Sequence, residues 1–302
     1  MSIATVSTES FSVVIPACNE SETVGGLVAQ LKAMGAPQII VVDDGSQDNT
    51  AEVARAAGAE VICNPYQMGN GAAIKAGFRA AHNQIVVFMD GDGQHRPQDI
   101  PKLLVQLAQG YDLIIGARSR AAQANRARAL GNWIYNQFAS WMSGHRIADL
   151  TSGFRAVRAD RFRDVVLLLP NGFSYPTTST MAFYRLGYSV GFVPIDAQRR
   201  LARTSSHINL FKDGGRFLLI IFRVTALYSP LKLFFPASLL FAATGIVYYL
   251  YTFLTDGRFT NFGALLMTTS ILIFLIGLVS EQITALTYSQ MTSAASSRPH
   301  KQ

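Results

Sequence analysis

The sequence has few cysteines, no apolar N-terminal segment and no basic run, and each absence argues against a class of protein. Cys18 and Cys63, its two cysteines, lie in strand-like contexts without pair spacing, which favours a reduced compartment over a disulfide framework. Residues 1–10 are polar and predict no signal peptide. The net charge is +7. Without a basic or aromatic–basic motif, we expect an anionic membrane surface or a phosphorylated substrate as partner, and no nucleic acid.

Apolar residues are what the sequence has in excess. They make up 49% of the chain, and the excess falls almost entirely after residue 217. Residues 233–255 and 259–280 contain no charge, and each run can cross a hydrocarbon core about 30 Å thick. We predict a two-helix transmembrane hairpin at 231–288, with an interfacial amphipathic helix at 211–230 before it and a short tail at 289–302 after it.

Basic residues flank the two predicted spans on one side. Arg216, Arg223 and Lys232 lie before the first span, and Arg298 and Lys301 follow the second. The positive-inside rule then places both residues 1–210 and the C-terminus in the cytoplasm. We therefore expect an integral protein of the cytoplasmic membrane.

The first hundred residues alternate short apolar runs with amphipathic segments. The runs that predict buried strands are residues 11–16, 38–42, 60–63 and 84–89. The segments that predict helices between them are residues 23–34, 50–57 and 72–81. This alternation predicts an α/β fold with a parallel sheet and right-handed crossovers.

Acidic loops follow three of these predicted strands. Glu20 follows the first strand, Asp43 and Asp44 follow the second, and residues 90–94 follow the fourth. Because ligands bind beyond the carboxyl ends of parallel strands, we expect all three loops to line one crevice. One such loop alone would be an ordinary turn. Three acidic loops at one edge of the sheet indicate a site for a nucleotide diphosphate bound together with a divalent cation. Such a cation prefers carboxylate and amide oxygens as ligands.

Four motifs together resemble those of family 2 glycosyltransferases, and more closely the dolichyl- or polyprenyl-phosphate sugar synthase branch, of dolichol-phosphate mannose synthase type. They are VVIPACNE at 13–20, VVDDGS at 41–46, MDGDGQ at 89–94 and DLTSGFR at 149–155. The resemblance implies a GT-A (Rossmann-like) catalytic domain at 1–210. It also implies transfer of a hexose from a nucleotide-diphosphate sugar to polyprenyl (undecaprenyl or dolichyl) phosphate, with Mg²⁺ or Mn²⁺ as cofactor.

The resemblance also implies roles for individual residues. The catalytic residues would be Asp92 and Asp149, with Asp149 positioning the substrates or acting as a base. The nucleotide sugar would contact Pro16, Ala17, Glu20, Asp43, Asp44, Lys75, Asp90, Gly91, Asp92, Arg200 and Arg203. The metal ligands would be Asp90, Asp92 and Gln94. The acceptor phosphate would bind Arg118, Arg128, Asn132 and Arg155.

Several alternatives stay open. A processive polysaccharide synthase would usually show a Gln-x-x-Arg-Trp motif, which this sequence does not contain. An inactive membrane scaffold that keeps the fold is opposed by the intact set of Asp90, Asp92 and Gln94. Asp149 could simply pair with Arg155, and the basic segment at 117–144 could be a solvated helix face. The sugar is not determined, since GDP-mannose, UDP-glucose, UDP-N-acetylhexosamine and amino-arabinose donors all fit the motifs. A homo-oligomer also stays open.

Overall fold

The computed structural model describes residues 10–118, 126–172, 174–196, 228–258 and 260–296, together with Phe222 and Thr225. The side chains of 126–130, 256 and 291–296 are not described. The chain divides into two compact units, Met1–Asn209 and Leu210–Gln302. Most of the predicted interfacial helix at 211–230 lies outside the described residues.

The N-terminal unit is built on a seven-stranded sheet with the order β3-β2-β1-β4-β6-β5-β7. Its strands are β1 Phe11–Ala17, β2 Gln38–Asp43, β3 Glu60–Cys63, β4 Ile85–Phe88, β5 Leu113–Arg118, β6 Arg155–Arg158 and β7 Val190–Ile195. The first four strands are parallel to one another, as predicted.

The parallel arrangement predicted from the first four strands does not extend to β6. This strand runs antiparallel to both of its neighbours, β4 and β5, so the sheet is mixed. It has four residues and begins and ends with arginine, so it lacks the apolar run that reveals a buried strand. The sequence therefore predicts no strand there.

Seven helices of this unit lie in the described residues. They are α1 Val24–Ala33, α2 Thr50–Ala57, α3 Asn70–Ala80, α4 Ile100–Ala108, α5 Arg126–Ser143, α6 Ala159–Val165 and α7 Tyr175–Arg185. The helices predicted at 23–34, 50–57 and 72–81 agree with α1, α2 and α3 to within two residues at each end. In α1, Leu27, Val28 and Leu31 are buried and join the main hydrophobic core.

The C-terminal unit contains two helices of membrane-spanning length, α8 Leu231–Asp256 and α9 Asn261–Ser296. The segments Leu231–Thr255 and Asn261–Gln290 are long and apolar enough to cross a bilayer. Gly257, in the left-handed region at φ 61°, ends the first helix. The Glu281 carboxylate accepts hydrogen bonds from Ser229 Oγ at 3.1 Å and Leu231 N at 3.2 Å, so it caps the start of α8.

Candidate active site

The acidic loops after β1, β2 and β4 meet at one edge of the sheet, as predicted from the sequence. They line a cavity of about 430 Å³. Its lining residues are Pro16, Ala17, Cys18, Glu20, Asp44, Gln67, Asn70, Ala73, Asp90, Gly91 and Asp92. Burial raises the pKa of the Cys18 thiol, and the neighbouring carboxylates, Asp44 first, raise it further. Four carboxylates, those of Glu20, Asp44, Asp90 and Asp92, therefore line the cavity.

Asp90 and Asp92 are half-buried at the end of β4. Asp92 Oδ1 accepts a hydrogen bond from Gln94 N at 3.1 Å, which fixes the loop in a tight turn. Gly153 lies directly against the other carboxylate, since a Cβ on it would lie 2.5 Å from Asp90 Oδ2. The loop at 149–155 and the loop at 90–94 are thus in contact.

His95 lies behind Asp90. Its Nδ1 is 3.8 Å from Asp90 Oδ2, and its ring stacks on Phe154 with centroids 5.2 Å apart. Burial lowers the pKa of His95 to about 4. The imidazole is therefore neutral near pH 7 and supports the carboxylate loop by packing.

The donor set fits a metal ion that is shared with a substrate. Among the described residues, no three His, Cys, Asp or Glu side chains are grouped closely enough to hold a metal ion. Mg²⁺ in substrate sites usually takes one or two carboxylates and completes its shell with water and phosphate oxygens. Asp90 and Asp92, followed in the same loop by the half-buried Gln94, match that pattern.

Asp43 and Asp44, at the end of β2, both accept several hydrogen bonds. Asp44 is 4% exposed, and its carboxylate accepts hydrogen bonds from Asn64 Nδ2 at 2.7 Å, Met68 N at 2.9 Å and Gly69 N at 2.8 Å. Asp43 accepts hydrogen bonds from the Ser46 backbone and hydroxyl. Asp44 lines the cavity, whereas Asp43 is not among its lining residues.

Lys75 is half-buried on α3 and holds a neighbouring loop. Its Nζ donates a hydrogen bond to Asn171 Oδ1 at 2.9 Å, and Ala72 N donates one to Asn171 O at 2.9 Å. Burial, and then the charge of Arg79, lower the pKa of Lys75. Lys75 does not line the cavity, so the structure does not bring this predicted donor-binding residue to the carboxylates.

Asp149 forms a two-point ion pair with Arg118. Arg118 Nε donates to Asp149 Oδ2 at 2.8 Å, and Arg118 Nη2 donates to Asp149 Oδ1 at 3.1 Å. Thr151 N and Oγ1 also donate to Oδ1, each at 3.1 Å. Burial alone would raise the pKa of Asp149, but the hydrogen bonds and charge of Arg118 outweigh burial and lower it. Asp149 is therefore ionised and firmly held.

Arg155 is fully buried and does not pair with Asp149. Its guanidinium donates to Pro176 O at 3.0 Å, Ser179 Oγ at 2.7 Å and Thr180 Oγ1 at 3.3 Å, and also to Ser152 O. With 0% of its surface exposed, it joins β6 to the start of α7. The predicted contact with an acceptor phosphate does not agree with this position, and we leave Arg155 out of the phosphate site.

The other predicted residues are placed only in part. Asn132 is half-buried on α5. Arg128 lies on the same helix, and its side chain is not described. Arg200 and Arg203 lie outside the described residues. Sequence reasoning missed Asn64, although it follows β3 and the rule of strand ends would have indicated it.

The chain resembles known proteins over most of its length. Residues 12–166 match the model of glycosyl transferase family 2, and residues 229–286 match the GtrB C-terminal hairpin. Glycosyltransferase AglJ of Haloferax volcanii is 30% identical over 246 residues, which is 79% of this chain and 80% of the relative. The dolichyl-phosphate hexose transferase of the same organism is 31% identical over 200 residues, with coverage of 65% and 86%.

Two further proteins are similar to this chain over 60% and 72% of its length. The undecaprenyl-phosphate mannosyltransferase of Micrococcus luteus is 32% identical over 197 residues, with coverage of 60% of this chain and 81% of the relative. Glucosyl-3-phosphoglycerate synthase of Mycobacterium tuberculosis, solved with Mn²⁺, uridine diphosphate and phosphoglyceric acid, superposes with a TM-score of 0.58. It is 22% identical and covers 72% of this chain and 78% of its own, so it shows the same fold.

The mixed sheet and the acidic cavity at its edge define a GT-A catalytic domain. The chain belongs to glycosyl transferase family 2. It is a glycosyltransferase of the polyprenyl-phosphate sugar synthase branch, followed by two apolar C-terminal helices. The resemblance found in the sequence motifs is confirmed.

Proposed function

We propose that the protein is an inverting, metal-dependent transferase that moves a hexose from a nucleotide-diphosphate sugar, of GDP-mannose or UDP-glucose type, to polyprenyl phosphate. The product is a polyprenyl-monophosphate sugar. One observation carries the proposal. Asp149 lies on the loop that contacts the Asp90 carboxylate, and it pairs with Arg118 at the end of β5. Arg118 also interacts electrostatically with Asp90 and Asp92.

The cavity has the chemistry that a nucleotide sugar requires. Glu20, with the backbone around Pro16 and Ala17, offers acceptors to base and ribose donors, and Gly91 allows close approach of a diphosphate. Asp90, Asp92 and Gln94 would hold Mg²⁺ or Mn²⁺, which supplies positive charge to a leaving diphosphate when bound. The solved relative that was crystallised with Mn²⁺ and uridine diphosphate supports a nucleotide and a metal ion in this fold.

The Arg118–Asp149 pair suits an anionic acceptor. A phosphate dianion is already a competent nucleophile, so it needs positioning more than a strong base. Because both oxygens of Asp149 accept hydrogen bonds, we assign it the positioning of Arg118, whose guanidinium would hold the phosphate. Arg128 and Asn132 on α5 would complete the phosphate site, and Arg200 and Arg203 would neutralise the donor diphosphate.

The two curated relatives named for dolichyl and undecaprenyl phosphate support a polyprenyl phosphate acceptor. Such an acceptor lies in a bilayer. The apolar helices α8 and α9 would therefore anchor the enzyme in the cytoplasmic membrane, with its catalytic domain and C-terminus in the cytoplasm. The lipid phosphate would attack the anomeric carbon in line, opposite the leaving nucleotide. An α-linked donor would then give a β-linked product.

The proposal is tested by transfer from a panel of radiolabelled nucleotide sugars to undecaprenyl phosphate, with purified full-length protein and Mg²⁺ or Mn²⁺. One donor should give an organic-extractable product that is lost with a chelator and in Asp92→Asn. The matched control is Asp160→Asn, since the side chain of Asp160 is 66% exposed on α6. No lipid product from any donor, with folding and nucleotide binding intact, would overturn the proposal in favour of a polysaccharide synthase or a scaffold.

A further inference from the structure

His95 contains a buried polar atom that the proposed function does not use. The residue is 4% exposed. In the part of the chain that the structure describes, its Nδ1 is among the few buried side-chain nitrogen and oxygen atoms that form no hydrogen bond. Nε2 of the same ring is not among them. A buried polar atom without a partner is rare in a native protein and indicates a functional role.

The imidazole ring of His95 is fixed by packing. It stacks on Phe154 at an interplanar angle of 17°, and Phe154 is 0% exposed. Phe154 is itself held at β5, because its carbonyl oxygen accepts a hydrogen bond from Gly116 N at 2.9 Å. The chain after His95 is also well packed, since Pro97 and Ile100 are buried. The plane of the ring is therefore set by the fold.

The charged group beside Nδ1 is the carboxylate of Asp90. The distance from Nδ1 to Asp90 Oδ2 is 3.8 Å, which is about 1 Å longer than a usual hydrogen bond between nitrogen and oxygen. Gly153 lies against the same oxygen, since a Cβ on it would be 2.5 Å from Oδ2. Oδ2 is therefore bordered by both His95 and Gly153. A small movement of the carboxylate toward the ring would form the hydrogen bond.

We propose that His95 is a positioning residue of the metal site, whose Nδ1–H donates a hydrogen bond to Asp90 Oδ2 and so orients this carboxylate for the cation. The proposal rests on the metal role of Asp90 in the proposed function. Carboxylates that bind metal ions are themselves hydrogen-bonded, and loss of the partner typically lowers metal affinity about 10–100-fold. A polar cavity of about 360 Å³ also borders His95, so water can donate to Nε2 and keep the proton on Nδ1.

The effect of His95 should be confined to the metal-dependent part of nucleotide binding. Asp90 lines the acidic cavity of about 430 Å³, whereas His95 is not among its lining residues. A nucleotide in this cavity would therefore not touch the imidazole. Removal of the Nδ1 donor should weaken nucleotide binding only when a divalent cation is present. A misfolded variant would lose binding under both conditions.

The test measures nucleotide affinity with and without the metal ion. Uridine diphosphate and guanosine diphosphate are titrated into full-length protein by calorimetry, once with saturating Mn²⁺ and once with a chelator. The ratio of the two dissociation constants gives the contribution of Mn²⁺. In His95→Leu, this ratio should fall about tenfold, while the dissociation constant in chelator should not change. The measurement requires no turnover.

Two amide variants separate the hydrogen bond from the packing. His95→Asn places an N–H donor where Nδ1 lies and should recover most of the ratio. His95→Gln places its donor near the position of Nε2 and should resemble His95→Leu. Both amides lose the aromatic stack on Phe154, so they remain a matched pair even if the apolar variant does not fold. Recovery in His95→Asn but not in His95→Gln would support the proposal.

The contrary results are distinct from one another. Equal ratios in His95→Asn and His95→Gln, both below wild type, would show that the ring acts by packing alone. A wild-type ratio in His95→Leu would show that Nδ1 is not used. Either result overturns the role of His95 and leaves the proposed function in place. An affinity of the wild-type protein that Mn²⁺ does not change would overturn the metal role of Asp90, and this proposal with it.

Discussion

Removal of the Asp149 charge should destabilise the catalytic unit measurably. Asp149 is 5% exposed, and the Arg118 side chain that it pairs with is 25% exposed. Breaking a buried pair costs about 3–5 kcal/mol, whereas an exposed pair contributes about 0–1 kcal/mol. Because Arg118 keeps some contact with solvent, we expect Asp149→Asn to lower the free energy of unfolding by about 2–3 kcal/mol. At about 2–4 °C per kcal/mol, Tm should fall by about 4–12 °C.

The assay is thermal unfolding in detergent, followed by the emission of the two tryptophans on α5. The matched control is Asp160→Asn, which removes an exposed partner of Arg161 at 3.7 Å and should cost less than about 1 kcal/mol. Adding Arg118→Met to Asp149→Asn should cost no further stability, because the uncompensated charge is then removed. A fall in Tm no larger than that of the control would refute the assigned pair.

The same pair predicts the direction of a pH dependence. The pKa of Asp149 is lowered in the folded protein, so its contribution to stability is present above the ordinary carboxyl pKa and is lost as pH falls through the lowered value. The difference in Tm between wild type and Asp149→Asn should be constant between about pH 5 and 8 and shrink below about pH 4. A difference that grew on acidification would contradict this assignment.

Two other substitutions test the cavity. Gly153→Ala should lower kcat at least about tenfold with the fold intact, because the new Cβ would displace the Asp90 carboxylate. Gly26→Ala, where nothing lies within 4 Å of a Cβ, is the control and should leave kcat unchanged. Asp44→Ala should weaken nucleotide binding by about tenfold or more in calorimetry, since it frees the Met68 and Gly69 amides. Unchanged affinity would exclude that role.

The sequence predicted the fold where local pattern and global structure agree. The apolar runs of β1, β2 and β4 are buried parallel strands. The acidic residues that follow these strands were therefore predicted to meet at one edge of the sheet, and they do. β6 could not be predicted in the same way, because its burial comes from its neighbours β4 and β5 and its ends are arginines. A local pattern contains no information about such long-range pairing.

The candidate site was predicted in its composition but not in all its contacts. The proximity of Asp90 and Asp92 in one loop follows directly from their spacing in the sequence. The partner of Asp149 does not, because Arg118 is brought to it from another strand end, whereas Arg155, six residues away in the chain, points into the core. Only the tertiary fold decides which of the two arginines is fully buried and which pairs with Asp149.

The most direct test of the proposed chemistry is the identity of both products from one reaction. With the accepted donor, Mn²⁺ and undecaprenyl phosphate in vesicles, the released nucleotide is separated by chromatography and the lipid product is examined by proton and phosphorus NMR. We predict release of a nucleoside diphosphate and a β-linked sugar on a lipid monophosphate. Release of a nucleoside monophosphate, or an α-linked product, would contradict transfer of the hexose with inversion.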